Sequence, residues 1–215
     1  MALQLYYITD RRQFAGDARE QEQRLLAKIV ECAAAGMEYI QLREKDLEAR
    51  ELEALAHKAM EAIGVSRTRL LINGRPDVAL ACGAHGVHVP ANAIAPSEVR
   101  SIFARAGRSD PIIGVSTHSA AEVASAEAHD ASFAVFGPVF EKNGAANAEG
   151  LEQLRQICHR TEAAQPPMPT WALGGITLEN AGLCAAAGAA GIAAIRLFQQ
   201  NDVHAVVKKL RALQA

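Results

Sequence analysis

Eight short apolar runs of strand type alternate with amphipathic helical segments along this 215-residue chain. The predicted strands lie near residues 4–9, 39–43, 69–73, 86–90, 111–117, 133–139, 170–174 and 191–197. The predicted helices follow them at roughly 17–35, 48–63, 76–83, 96–106, 119–129, 149–163, 178–187 and 202–213. Strands that are joined by helical crossovers pair in parallel. The pattern therefore predicts an α/β fold in which residues 1–215 form a single (β/α)₈ barrel domain, because an open sheet would leave two edge strands exposed.

Composition and charge exclude several classes of protein. Half of the residues are hydrophobic and 21% are charged, which excludes a disordered chain. The net charge is −2 and no run of like charges occurs, so neither a nucleic acid nor an anionic membrane is an expected partner. The N-terminus enters a strand without a signal segment, and no apolar stretch reaches about 18 residues, which predicts a cytoplasmic protein. Apolar residues on the outer helices leave a homo-oligomer open as an alternative to a monomer.

The predicted barrel directs attention to the loops that follow its strands, because the carboxyl ends of barrel strands build the site. After the seventh predicted strand comes Gly174-Gly175-Ile176-Thr177, where two glycines let the backbone approach an anion and Thr177 is suited to open a helix. At the end of the eighth, Arg196 adds a cation. Loops after strands 7 and 8 often form one phosphate site in such barrels. The sequence predicts that site here, with a tight turn and a solvated arginine as the alternative.

Polar residues also end the second and third predicted strands. Gln41 and Arg43 alternate with apolar neighbours and are expected to face inward, where burial without a partner or ligand would be costly. Arg43 is suited to clamp a carboxylate or phosphate, Lys45 lies just beyond the strand, and Asn73 ends the third strand. The alternative is an internal salt bridge between Arg43 and a neighbour such as Glu44.

Ser116, Thr117 and His118 end the fifth predicted strand. His118 is the candidate for proton transfer, because imidazole acts as acid and base near neutral pH; the alternative is a helix cap or a surface residue. His85 and His88 are three residues apart on a strand and therefore point to opposite faces, which excludes a metal site formed by that pair.

Six segments together resemble one enzyme superfamily, that of thiamine-phosphate synthases and TenI-type thiazole tautomerases. They are Q-L-R-E-K-D (41–46), L-I-N-G-R-P-D-V-A-L (71–80), G-V-H-V-P (86–90), I-G-V-S-T-H-S (113–119), F-G-P-V-F (136–140) and G-G-I-T (174–177). The resemblance covers essentially the whole chain. It implies a phosphorylated thiazole as small-molecule partner, with the phosphate on Gly174, Gly175, Arg196 and Leu197.

The chain departs from the synthase pattern at the positions that hold Mg²⁺. The resemblance implies acids after the third and fourth strands, but Gly74 and the stretch Val89-Pro90-Ala91-Asn92-Ala93 stand there. The threonine- and lysine-rich loop that grips pyrophosphate in synthases is represented by 141–145 with one lysine, Lys142. A residual metal site would have to use Asp46, Asp77 or Glu44.

These departures favour the tautomerase branch, an isomerase that needs no metal cofactor. Under that reading His118 moves the proton, and Gln41, Arg43 and Asn73 orient the ring and its carboxylate. The other residues expected to bind the substrate are Lys45, Ser116, Thr117 and Lys142. Two alternatives remain: a Mg²⁺-using thiamine-phosphate synthase with a diverged metal site, and a non-catalytic barrel that binds a phosphorylated ligand.

Overall fold

Eight parallel strands close into a barrel in chain order in the computed structural model, which describes residues 3–142, 144–159 and 168–213. The strands are β1 (Gln4–Ile8), β2 (Tyr39–Leu42), β3 (Arg69–Asn73), β4 (Gly86–Pro90), β5 (Ile112–Thr117), β6 (Phe133–Phe136), β7 (Thr170–Leu173) and β8 (Gly191–Ala194). The barrel closes where β1 pairs with β8, with Tyr7 opposite Ala194. The predicted (β/α)₈ barrel is confirmed.

Helices cover the outside of the barrel. They are α1 (Ala18–Ala34), α2 (Ala49–Ile63), α3 (Pro76–Ala81), α4 (Pro96–Arg105), α5 (Ala120–Ala128), α6 (Ala148–Cys158), α7 (Ala181–Ala186), α8 (Arg196–Gln199) and α9 (Val203–Ala212). A 3₁₀ turn, Arg11–Gln13, precedes α1. Within the described ranges, no helix combines the length and apolar character that crossing a bilayer requires.

Three predicted boundaries near the barrel mouth are wrong. The sixth strand ends at Phe136 and the eighth at Ala194, and Arg196–Gln199 form a short extra helix instead of continuing the strand. The seventh helix begins at Ala181 rather than near residue 178, so Thr177 does not open it. Residues 160–163 of the predicted sixth helix lie outside the described residues.

Side chains alternate between the barrel interior and the helix layer, as strand geometry requires. The lower interior is filled by aromatic rings: Phe133 stacks on Trp171 with 3.8 Å between ring centroids, and Tyr6 meets both rings edge-on. Two residues beyond Tyr39 along β2, the inward position is Gln41. The interior therefore changes from aromatic to polar toward the carboxyl ends of the strands, where the βα loops meet.

Candidate active site at the carboxyl ends of the strands

A cleft of about 780 Å³ lies between the loops that follow β7 and β8. The four residues predicted to bind the phosphate line it: Gly174, Gly175, Arg196 and Leu197. Lys142, predicted to bind the substrate, joins them from the loop after β6. Gln13 completes the lining from the 3₁₀ turn. The structure thus brings the two predicted halves of the phosphate site together.

Both glycines of the β7 loop are required by close packing. Gly174 and Gly175 have φ values of +100° and +60°, which favour glycine. A Cβ atom at Gly174 would lie 2.6 Å from the Cα atom of Pro138, and one at Gly175 would lie 1.9 Å from the carbonyl oxygen of Glu141. The loop after β6 is held there by a hydrogen bond from the Phe140 amide to the Gly174 carbonyl, 3.1 Å long. The glycines therefore bring the β6 and β7 loops into contact.

Asn180 fixes the turn after these glycines. Its Oδ1 accepts from the Thr177 amide at 2.8 Å, and its Nδ2 donates to the Gly175 carbonyl at 2.9 Å. The Thr177 amide is therefore already bonded within the turn and is not free to donate to an anion.

The β8 side supplies the amides instead. Arg196 and Leu197 begin α8, and within the described residues their backbone N–H groups, like that of Gly175, donate to no protein acceptor. The Leu197 side chain is buried, so its amide is the group that a ligand can reach. The exposed Arg196 guanidinium donates to the carbonyl of Lys142 and spans the cleft. Three amides and one cation can meet an anion here.

A second polar region lies at the ends of β2 and β3, outside the lining of this cleft. Gln41 is 2% exposed and donates through Nε2 to Asn73 Oδ1 at 2.8 Å, which confirms that it faces inward. Within the described residues, neither the Arg43 guanidinium nor the Lys45 ammonium makes an ion pair. The alternative of a salt bridge between Arg43 and Glu44 is wrong, because Glu44 pairs with Arg11 at 3.1 Å.

Arg11 binds the acids beside the β2 loop. Its guanidinium donates to both oxygens of Asp46 at 2.8 Å, and to Glu44. Glu44 also accepts from the Arg11 amide at 3.0 Å and from the Thr9 hydroxyl at 2.5 Å. The hydrogen bonds from Arg11 lower the pKa of Asp46. This buried brace holds the loop that carries Arg43 and Lys45.

The candidate metal ligands are each paired with an arginine. Glu44 and Asp46 are paired with Arg11, and Asp77 is bound by both ends of the Arg75 guanidinium at 2.8 and 2.6 Å, which lowers the pKa of Asp77. No group of three histidine, cysteine or acidic side chains that could hold a metal occurs in the part of the chain that the structure describes.

The three residues at the end of β5 have different environments. Ser116 lies at the mouth, with its Oγ 2.8 Å from Nε2 of His88. Thr117 is fully buried on the opposite face of the strand and donates to the Val135 carbonyl at 3.3 Å, so the structure does not bring its side chain to the mouth. Thr117 was grouped with its neighbours in the sequence, but strand alternation turns it toward the helix layer.

His118 is exposed, and its ring Nδ1 lies 2.5 Å from the carbonyl oxygen of Gly137. A carbonyl only accepts, so Nδ1 carries the hydrogen and, in the neutral ring, Nε2 carries the lone pair. The His118 amide donates to Glu122 Oε2 at 2.6 Å. The ring is thus oriented by the loop after β6, with Nε2 available to a ligand.

His88 is the residue at the mouth that the sequence analysis missed. It is 2% exposed, and its Nδ1 lies 3.2 Å from the Tyr6 hydroxyl. Burial, with a smaller contribution from the charge of Arg43, lowers the pKa of His88 to about 3. The sequence feature that could have indicated His88 is Gly114, which has no side chain. In the structure a Cβ atom at this position would lie 2.7 Å from His88 Nδ1, so the glycine leaves room for the ring. His85 points elsewhere and accepts from the Leu70 amide at 3.1 Å, so the exclusion of a His85–His88 pair agrees with the structure.

Comparisons with known proteins agree with the fold. The family model for thiamine monophosphate synthase matches residues 5–198. A putative thiamine-phosphate synthase 2 from Aquifex aeolicus is 36% identical over 196 residues, covering 90% of this chain and 96% of that protein. The thiamine-phosphate synthase of Methanoculleus marisnigri is 34% identical over 215 residues, covering 98% of this chain and 95% of that one.

A solved structure extends the agreement to three dimensions. The thiamine phosphate pyrophosphorylase from Pyrococcus furiosus matches with a TM-score of 0.79 and 29% identity, covering 98% of this chain and 95% of its own. The fold is thus a (β/α)₈ barrel whose mouth carries backbone amides and an arginine. The chain belongs to the thiamine monophosphate synthase family.

The prediction that this chain is an isomerase is wrong. Relatives that match nearly the whole chain are named thiamine-phosphate synthases. Such a synthase is a transferase, so a transferase fits better than an isomerase. The prediction depended on Gly74 and on the stretch 89–93, which lack the carboxylates expected of a synthase. Losing those side chains changes how a charged group can be held, but it does not by itself create a different reaction.

Proposed function

We propose that this chain is a transferase that joins a pyrimidine bearing a pyrophosphate to a thiazole phosphate and releases inorganic pyrophosphate. The observation that carries the proposal is that two separate groups of hydrogen-bond donors and cations lie at one barrel mouth. One is the cleft with Arg196 and three backbone amides, and the other is Arg43 and Lys45 after β2, which make no ion pair within the described residues. Two such regions are suited to the phosphate of one substrate and the pyrophosphate of another. A thiazole carboxylate phosphate would also bring an anionic group to each region, so the similarity to synthases is what favours coupling over rearrangement.

The thiazole phosphate occupies the cleft between β7 and β8. The amides of Gly175, Arg196 and Leu197 donate to the phosphate oxygens, and the Arg196 guanidinium exchanges the Lys142 carbonyl for the anion. A charge-assisted hydrogen bond to phosphate is stronger than one to a neutral carbonyl, which favours this exchange.

The pyrimidine lies across the mouth, against Gln41, Asn73 and Ser116. Gln41 donates to the Asn73 side-chain oxygen, which leaves the Asn73 amide nitrogen to donate to a ring nitrogen of the substrate. Arg43 and Lys45 bind the pyrophosphate as it leaves. In the coupling step a C–N bond forms at the thiazole nitrogen, the C–O bond to pyrophosphate breaks, and the electron pair of that bond departs with the pyrophosphate.

Two residue sets do not take part as the family resemblance implies. Neither Gly74 nor the stretch 89–93 offers a carboxylate for Mg²⁺, and the nearby acids are held by Arg11 and Arg75, so we derive no step through a protein-bound metal. His118 is not needed as a proton shuttle, because a thiazole nitrogen that carries no hydrogen loses no proton on coupling.

The test is to mix the purified chain with both substrates and to follow thiamine phosphate and pyrophosphate together. We expect the two products in equal amounts, only when both substrates are present, and with the His118→Ala variant still active. Arg43→Gln should lower kcat/KM by roughly 10- to 100-fold, since a hydrogen bond to a charged group contributes about 1.5–3 kcal/mol. Arg105→Gln, at the far end of α4, is the matched control and should match the parent.

Two results would contradict the proposal. The absence of both products, with thiazole phosphate still bound, would instead support the non-catalytic ligand-binding barrel. Equal kcat/KM values for Arg43→Gln and Arg105→Gln would show that Arg43 does not bind the leaving pyrophosphate. Running the reaction with and without Mg²⁺, and measuring Mn²⁺ binding to the free protein by electron paramagnetic resonance, separates a cation bound by the protein from one bound only by pyrophosphate.

A further inference from the structure

A chain of hydrogen bonds runs through the barrel interior to the mouth. The Tyr6 hydroxyl lies 3.2 Å from His88 Nδ1, and His88 Nε2 lies 2.8 Å from Ser116 Oγ. Tyr6 and His88 are 0% and 2% exposed, whereas Ser116 is half-buried at the end of β5. The absence of a side chain at Gly114 makes room for the imidazole. The interior is thus shaped to hold this ring between the two hydroxyl groups.

The direction of these hydrogen bonds follows from the buried tyrosine. Within the described residues, the Tyr6 hydroxyl has no acceptor other than His88 Nδ1, and burial raises the pKa of Tyr6, so it keeps its proton. A buried O–H group without an acceptor is strongly disfavoured, so Tyr6 donates to Nδ1. Burial keeps His88 neutral, and a neutral imidazole that accepts at Nδ1 carries its hydrogen on Nε2. His88 therefore donates to Ser116.

The hydrogen of Ser116 is then left for a ligand. Its oxygen accepts from His88, and within the described part of the chain Ser116 Oγ has no other partner. We propose that Tyr6 and His88 are positioning residues which make Ser116 a hydrogen-bond donor toward an acceptor atom of the bound pyrimidine, such as a ring nitrogen with a lone pair. The identity of the ligand rests on the function proposed above, but the direction of the hydrogen bonds does not.

The direction is tested in the free protein, without substrate or variant activity. Long-range proton–nitrogen spectra of the histidine-labelled protein at neutral pH should show His88 with an unprotonated Nδ1 and a protonated Nε2; the His88→Gln spectrum assigns the signals. In Tyr6→Phe, His88 Nδ1 has no hydroxyl to donate to it, so the population of the tautomer with hydrogen on Nε2 should fall relative to the tautomer with hydrogen on Nδ1. A hydrogen on Nδ1 in the parent protein would overturn the inference.

The effect on the ligand is tested by calorimetry with pyrimidine pyrophosphate alone. Ser116→Ala should weaken binding about 10-fold, which corresponds to one ordinary hydrogen bond. Tyr6→Phe should weaken it several-fold while leaving thiazole phosphate binding unchanged. Tyr7→Phe is the matched control, because it removes a buried hydroxyl that donates to Gln199 Oε1 at 2.7 Å, away from the mouth.

The outcomes separate this inference from the proposed function. Equal binding by Tyr6→Phe, Tyr7→Phe and the parent would overturn it. Absence of coupling by the parent, with pyrimidine binding still weakened in Tyr6→Phe and Ser116→Ala, would remove the proposed reaction and support the inference. A parent protein that does not bind pyrimidine pyrophosphate would overturn the assignment of the ligand.

Discussion

The buried imidazole of His88 should make the stability of this barrel fall as the pH is lowered. Its pKa is about 3 in the folded chain, whereas a histidine in an unfolded chain has a pKa of about 6.5. Between these values the unfolded chain binds a proton that the folded chain does not. The free energy of unfolding is therefore highest above the unfolded pKa, decreases as the pH falls below it, and stops decreasing below the folded pKa.

The size of the effect at pH 5 depends little on the exact folded pKa. At that pH an unfolded histidine is protonated about 30-fold more often than it is neutral, which stabilises the unfolded chain by about 2 kcal/mol relative to pH 7.5. The result holds as long as the folded pKa stays below about 4. Against a typical domain stability of about 5–15 kcal/mol, a change of this size is readily measured.

The assay is urea unfolding at pH 7.5 and pH 5.0, with the parent and His88→Gln. Glutamine offers a donor and an acceptor but does not titrate. The variant should be less stable at pH 7.5, yet it should lose about 2 kcal/mol less than the parent on going to pH 5.0. Ser116→Ala is the control, because it removes a neighbour of the ring and leaves the imidazole in place. Equal losses in the parent and His88→Gln would show that the folded protein accommodates a protonated ring, and would refute the reasoning.

Three further predictions concern packing around the mouth. Gly175→Ala should lower the melting temperature and weaken binding of inorganic phosphate, because its Cβ would lie 1.9 Å from a backbone oxygen. Gly107→Ala is the control: its φ is +73° but its Cβ would meet no atom, so it measures the cost of a positive φ alone. Equal effects of the two variants would show that the clash at Gly175 contributes nothing. Glu44→Gln should lower the free energy of unfolding by about 1–2 kcal/mol, because it weakens the hydrogen bonds to Thr9 and Arg11 while Arg11 keeps its pair with Asp46; an unchanged urea midpoint would mean that Glu44 is not essential to the brace. Thr117→Val should change stability by less than about 1 kcal/mol and leave coupling unchanged, and coupling slowed more than 10-fold would place its hydroxyl at the mouth.

The fold could be predicted from the sequence because each βα unit repeats the same local pattern. The errors lie where an apolar run continues past the end of a strand. Val139 and Leu197 extend two predicted strands, but Val139 is buried in a loop and Leu197 in the short helix α8, after the chain has turned away from the sheet. Burial in a loop and burial in a strand produce the same short apolar pattern, so periodicity does not distinguish them.

From the sequence, the candidate site could be predicted only as far as strand alternation determines whether a side chain faces the barrel interior or the helix layer. Gln41 and Ser116 face inward because of strand alternation, and the same rule turns Thr117 outward. The partners of His88 could not be read from one strand. Tyr6 and Ser116 lie on β1 and β5, so their meeting depends on how the barrel closes and on the space left by Gly114.

The two missing carboxylates have a different meaning once the charges at the mouth are known. Taken alone, Gly74 and the stretch 89–93 indicate the loss of a metal site. In the structure, however, Glu44 and Asp46 are both paired with Arg11, while the cation of Arg43 is not paired within the described residues. Where cations bind pyrophosphate directly, carboxylates at those two positions would repel it rather than assist. Under the proposed reaction, removing the acids and leaving Arg43 unpaired both favour the leaving group, so the departure that first indicated an isomerase is compatible with a transferase.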